Sequence, residues 1–125
     1  MKKISTELAP KAIGPYSQGI IIDNMVYTSG QIALVPATGE LVNDDIKEQT
    51  RQVLDNLKSV LEAGGSCLDC VIKTTCYLKN MDDFAVFNDI YAEYFEHKPA
   101  RSCVGVSALP KGALVEIEAV AKLCK

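Results

Sequence analysis

Only two stretches of this chain carry helical periodicity, while runs rich in β-branched residues surround them, and that imbalance limits the folds available. From Asp45 to Ala63 the apolar residues Ile46, Val53, Leu54, Leu57, Val60 and Leu61 recur at helical spacing. Gln49, Arg51, Gln52, Asp55 and Lys58 fill the other faces. Asp44 or Asp45 can cap the start, and Gly64-Gly65 supplies the stop. The second helix is expected after Asn80, which caps it with Asp83 in a box-like N-x-x-D. Its residues Phe84, Phe87, Tyr91, Tyr94 and Phe95 form one stripe, read as core.

Strands are expected around these helices. Ser17–Ile22 turns at Asp23-Asn24 into Met25–Ser29 as a hairpin. Val71–Leu78 is a strand by β-branched content, as is the run from Ala100 to Val106 after Pro99. Leu109-Pro110-Lys111-Gly112 turns the chain into a last strand through Glu116. The order is ββαβαββ, an α+β sandwich with two helices on one face of a sheet. Two helices cover one face only. Yet in Val71–Leu78 both alternating rows are partly apolar, so an oligomer built through the sheet is expected.

At 125 residues the chain is expected to be a single domain, large enough for a core without staples. A net charge of −3 with scattered basic residues argues against nucleic acid as the main partner. No apolar run has the ~20 residues that a membrane-spanning helix needs. The first seven residues, MKKISTE, lack the apolar stretch of a signal peptide, so a cytoplasmic location is expected. Five cysteines are an odd number and fit reduced thiols better than a disulfide framework. Cys67-Leu68-Asp69-Cys70 is a C-x-x-C, but Cys76, Cys103, Cys124 and the lone His97 offer no second paired spacing. The expectation is therefore ordinary thiols, no metal, and a Cys124 exposed near the end of the sequence. A thiol-based sensor using Cys67, Cys70 and Cys103 is a remote alternative.

The residue most in need of explanation is Arg101, one step into an apolar strand. A guanidinium keeps its proton, so burying it calls for a carboxylate or similar anion. Glu116 and Glu118 alternate on the last strand and so share one face. Two readings stand at this point: a pocket for a small carboxylic acid, or a structural Arg–Glu pair at the sheet edge.

Five segments together resemble the Rid, or YjgF-like, family of imine deaminases. They are residues 9–19 (APKAIGPYSQG), 28–32 (TSGQI), 71–75 (VIKTT), 99–104 (PARSCV), and 109–112 (LPKG) with 115–119 (VEIEA). The resemblance runs from about residue 5 to residue 122. It implies a chorismate-mutase-like fold and a homotrimer with a site in each cleft between subunits. It also implies hydrolysis of 2-imino or enamine acids, such as 2-iminopropanoate and 2-iminobutanoate, to 2-oxo acids and ammonia, without a cofactor. Such imines are released by pyridoxal-phosphate enzymes acting on serine, threonine or cysteine.

Within that resemblance Arg101 matches the carboxylate-binding arginine, a role its planar fork of donors suits. Glu116 matches the residue that holds the attacking water, and Tyr16 an aromatic flanking the substrate. Ser29 and Gly30 match the pocket-lining Thr-Ser-Gly motif. Asn88 matches a polar contact on the second helix, and Cys103 a small residue whose backbone touches substrate. Cys103 is not expected to be a nucleophile, since no histidine follows it to act as base. The segment from Phe95 to Pro99 is shorter than in many members and bears on substrate size. The family also holds members described as ribonucleases, translation inhibitors, chaperone-like proteins and regulators, so a binding module on the same fold is the alternative.

Overall fold

The computed structural model describes residues 1–124. Six strands form one mixed sheet: β1 (Lys2–Ile4), β2 (Gly19–Ile22), β3 (Met25–Thr28), β4 (Val71–Leu78), β5 (Ala100–Gly105) and β6 (Val115–Lys122). Two helices, α1 (Ile46–Ala63) and α2 (Phe84–Tyr94), complete an α+β fold. The strands lie in the order β1-β2-β3-β6-β4-β5. Only β4 and β5 are parallel, and α2 makes the crossover between them.

Asp45 caps α1, accepting a hydrogen bond from the Lys47 N–H, and Gly64 closes it as the sequence led one to expect. Val53, Leu54, Leu57, Val60 and Leu61 are completely buried. They meet Val26 of β3, Cys76 and Leu78 of β4, and Val115, Ile117 and Ala121 of β6 in one core. Burial of each large aliphatic side chain is worth about 1.5–3 kcal/mol. β6 alternates strictly: Val115, Ile117, Ala119 and Ala121 face the helices, and Glu116, Glu118 and Val120 face away. On β4 an irregularity between Val71 and Lys73 puts Val71 in the same buried row as Thr74, Cys76 and Leu78, leaving Ile72 exposed.

Three local expectations need correction. The strand β1 was not foreseen; it pairs antiparallel with β2, Lys3 opposite Ile20. Asn80 caps a separate 3₁₀ turn (Met81–Asp83), accepting from the Asp82 N–H, and α2 starts only at Phe84. Gln49 is fully buried and does not lie on an outer face of α1. Its amide donates to the Asn43 carbonyl and accepts from the Leu114 N–H, so it pins the start of β6.

The sheet face opposite the helices is uncovered within the chain. Ile20 pairs with Tyr27, and Tyr27 with Val120, across β2, β3 and β6 on that face. Tyr27 and Val104 are each 45% exposed. No described helix is long and apolar enough to cross a membrane.

Candidate functional site

The segment between β3 and α1 departs from the sheet just where the predicted motif lies. The β3–β6 ladder runs from Met25 opposite Lys122 and ends at Tyr27 opposite Val120; the next ladder contact is Gln31 with Ile117. Between them the Thr28 hydroxyl accepts from the Ala119 N–H, so Ser29 and Gly30 bulge out over β6. Ser29 donates its hydroxyl to the Ser17 carbonyl, which satisfies that donor and fixes the side chain. Gly30 lies directly over Glu116. A Cβ built there would stand 2.0 Å from Glu116 Oε2, so only glycine admits the carboxylate to this position.

The bulge is held from below by α1. The buried Asn56 amide donates to the carbonyls of Ile32 at 3.1 Å and Leu34 at 2.9 Å. It accepts in turn from Gln52. The buried Gln18 plays a similar part for the N-terminal loop: its amide donates to the carbonyls of Thr6 and Pro10 and accepts from the Thr6 N–H. That loop leads to Tyr16, which is 49% exposed and whose hydroxyl accepts from the Ile13 N–H at 3.3 Å.

Tyr16, Ser29, Gly30 and Glu116 thus line one open cleft of about 550 Å³, joined by Glu118 and Lys111. Lys111 has a left-handed backbone, φ 58°, in the turn that precedes β6. Burial raises the Glu116 carboxyl above its ordinary range, and the neighbouring Glu118 charge adds to the effect. No side-chain or backbone donor among the described residues bonds to the Glu116 carboxylate.

Arg101 lies elsewhere. It stands opposite Thr74 on β4, on the helix-covered face, whereas Glu116 stands opposite Tyr77 on the uncovered one. Of the two readings of Arg101, the structural Arg–Glu pair at the sheet edge is absent, because the register of β4 puts the two residues on opposite sides of the sheet. Arg101 has instead an amide and three aromatic rings. Its Nη1 donates to Asn88 Oδ1 at 2.7 Å. The guanidinium carbon lies 4.9 Å from the Tyr91 ring centre, 5.5 Å from Phe84 and 6.0 Å from Phe87. Among the described residues the ion pair within 4 Å is Arg51–Glu93 on the outer faces of α1 and α2, so Arg101 has no carboxylate partner.

Arg101 and Asn88 line a second hollow of about 360 Å³ at the β5 edge. Cys103, two residues on, is half-buried on the same side of β5, opposite Cys76. Burial raises both thiols, Cys76 to about 12, and Arg101 opposes the shift at each. The seven predicted residues therefore fall into two groups. Tyr16, Ser29, Gly30 and Glu116 share one cleft; Arg101, Asn88 and Cys103 share the β5 edge.

Sequence reasoning missed the aromatic cradle. Phe84, Phe87 and Tyr91 do more than fill the core, and their spacing of three and four residues puts them on the face that also bears Asn88. A polar residue interrupting an aromatic stripe was the available signal.

A family model described as Endoribonuclease L-PSP matches residues 6–123. A RutC family protein of Pyrococcus horikoshii is 60% identical over 119 residues, with 94% of each chain covered. A 2-iminobutanoate/2-iminopropanoate deaminase of Escherichia coli is 51% identical over 124 residues, with 96% of each covered. Among solved structures, E. coli TdcF with bound serine superimposes with a TM-score of 0.94 at 42% identity, covering 99% of this chain and all of that one. With a match to nearly its whole length and a fold shared throughout, this chain belongs to the endoribonuclease L-PSP family, the YjgF-like or Rid proteins.

Proposed function

We propose that the chain is a hydrolytic deaminase of small 2-imino acids and their enamine tautomers, 2-iminopropanoate and 2-iminobutanoate among them. The observation that carries this reading is Arg101. A half-buried guanidinium cradled by aromatic rings and one amide, with no anion of its own, is suited to bind a carboxylate from solution. The deaminase name of the E. coli relative agrees with it.

The second half of the reaction falls to Glu116. The ionised carboxylate accepts a proton from water as the water oxygen adds to the C=N carbon. For a protonated imine the resulting carbinolamine takes that proton on nitrogen; the C–N bond then breaks as the carbinolamine hydroxyl gives its proton back to the Glu116 carboxylate, and ammonia leaves with a 2-oxo acid. A carboxyl whose affinity for protons is raised by burial suits a group that must take and return one. Tyr16 flanks the cleft, and Ser29 with Gly30 forms its wall. Imines hydrolyse unaided in water, so one general base, worth on the order of 10²–10⁴, together with positioning is an adequate catalyst.

In this reading the two groups are completed by a second copy of the chain. Arg101 and Glu116 occupy opposite faces of one sheet, so one subunit's β5 edge must meet the Glu116 cleft of its neighbour. A homotrimer with three such clefts is the assembly we propose, and the uncovered sheet face supplies apolar surface for it.

The test is release of ammonia or 2-oxo acid from imines generated in place by an amino-acid oxidase. Wild type should accelerate release, and Arg101→Ala should lose on the order of 10²-fold or more in kcat/KM. Equal acceleration by both proteins would overturn the carboxylate clamp. No acceleration by a folded wild type would overturn the deaminase and leave a binding module.

A further inference from the structure

Three thiols converge where the sequence showed only two. Cys67 precedes a single 3₁₀ turn (Leu68–Cys70), and Cys70 ends it. Cys124 follows β6, and its position beside that turn comes from β6 lying between β3 and β4. The three Sγ atoms form an equal-sided triangle: Cys67 to Cys70, Cys70 to Cys124 and Cys124 to Cys67 are each 3.2 Å apart. The remote alternative that grouped Cys67 and Cys70 with Cys103 does not match this cluster, since Cys103 belongs to the β5 edge.

The backbone around the triangle is tied down. Cys124 N–H donates to the Gly65 carbonyl at 2.9 Å, and Leu123 N–H to the Asn24 carbonyl at 2.9 Å. Ser66 donates its hydroxyl to the Lys122 carbonyl at 2.7 Å, and Cys70 N–H bonds the Cys67 carbonyl at 3.0 Å. Two chain segments, the 67–70 turn and the end of β6, are thus held so that their three sulfurs meet at one point. Cys67 and Cys70 are half-buried and Cys124 is exposed, so the point opens to solvent.

We infer that Cys67, Cys70 and Cys124 form a binding site for one thiophilic metal ion of the zinc type. Zinc–thiolate bonds are about 2.3 Å long, so an ion bound to all three sulfurs would sit about 1.4 Å above their plane, on the open side. A spread of about half an ångström between sulfurs reaches the wider separation of a tetrahedral site. No fourth histidine, cysteine or carboxylate joins the cluster among the described residues, so water or an added ligand takes the remaining position. An all-sulfur set selects zinc or copper(I) over magnesium, calcium or manganese. On binding, each thiol gives its proton to the buffer as its sulfur–metal bond forms, and no oxidant or reductant is needed. The site lies at the opposite end of β6 from Glu116, about 26 Å along the strand at 3.3 Å per residue. It is therefore separate from the deaminase chemistry.

The test uses the full chain, reduced with a non-thiol reductant and kept anaerobic, titrated with Co²⁺ and then Zn²⁺. Thiolate-to-cobalt absorption should grow to one ion per chain and vanish on adding Zn²⁺. Cys67→Ser, Cys70→Ser and Cys124→Ser should each weaken binding at least tenfold, and Cys103→Ser should not. An equal Zn²⁺ excess should raise the melting temperature of wild type more than that of Cys124→Ser, whose own cooperative melting transition checks that it is folded. Absence of the cobalt absorption in the reduced protein would overturn the proposal. So would undiminished binding by Cys124→Ser, or loss of two thiols to a disulfide without metal uptake.

Discussion

At the scale of single residues, Gly30 and Glu116 act as a pair. The carboxylate fits because position 30 has no Cβ. Gly30→Ala must push the carboxylate aside or lift the bulge, and a displacement of about 1 Å at a reacting group can cost on the order of 10²-fold. Its kcat/KM for imine hydrolysis should fall by that order while KM changes little. In the proposed reaction the protonation of Glu116 sets the pH dependence. The base must be ionised, so activity falls as pH drops through its pKa, and burial beside Glu118 moves that pKa upward. The acid limb of kcat/KM should therefore lie above the ordinary glutamate value of about 4.3. Glu118→Gln, which removes the neighbouring charge, should move the limb to lower pH. A limb at or below the ordinary value in wild type would contradict this account of the site.

At the scale of elements, α1 does more than supply a core face. Its buried Asn56 fixes the chain just after Gly30 by two hydrogen bonds. Asn56→Ala leaves two carbonyls without that partner and should cost about 1–3 kcal/mol, read from urea unfolding. It should also lower activity, because the bulge over Glu116 loses its anchor. The polar residues that do this work were not legible in the sequence. Gln49 and Asn56 look like surface residues by type, and only the loops lying over α1 bury them. The apolar spacing of α1, its Asp45 cap and its Gly64 stop were legible because they are local. β1 was not, since Lys2-Lys3-Ile4 has too few residues for a pattern and becomes a strand only by pairing with β2. Arg101 and Glu116 each stand out in the sequence as candidate site residues, yet their faces do not. A strand's alternation fixes which residues share a side, but the neighbouring strand's register decides which side that is. Cys124 escaped for the same kind of reason, its neighbours being set by strand order.

At the scale of the whole molecule, two incomplete sites and one uncovered sheet face point to the same remedy. In the proposed reaction the cleft supplies Glu116 as base, and the β5 edge supplies Arg101 as carboxylate anchor. Both become complete if copies of the chain meet through the sheet, as the proposed trimer requires. This can be measured without a structure of the assembly. Arg101→Ala and Glu116→Gln chains, each inactive as homo-oligomers, are co-refolded in equal amounts and assayed for imine hydrolysis. If each site takes its arginine and its glutamate from different subunits, random mixing in a closed ring restores about a quarter of wild-type activity. The double variant mixed with either single variant should restore none. A co-refolded, assembled mixture no more active than its parents would mean that one chain must supply both residues, and the shared site would be wrong.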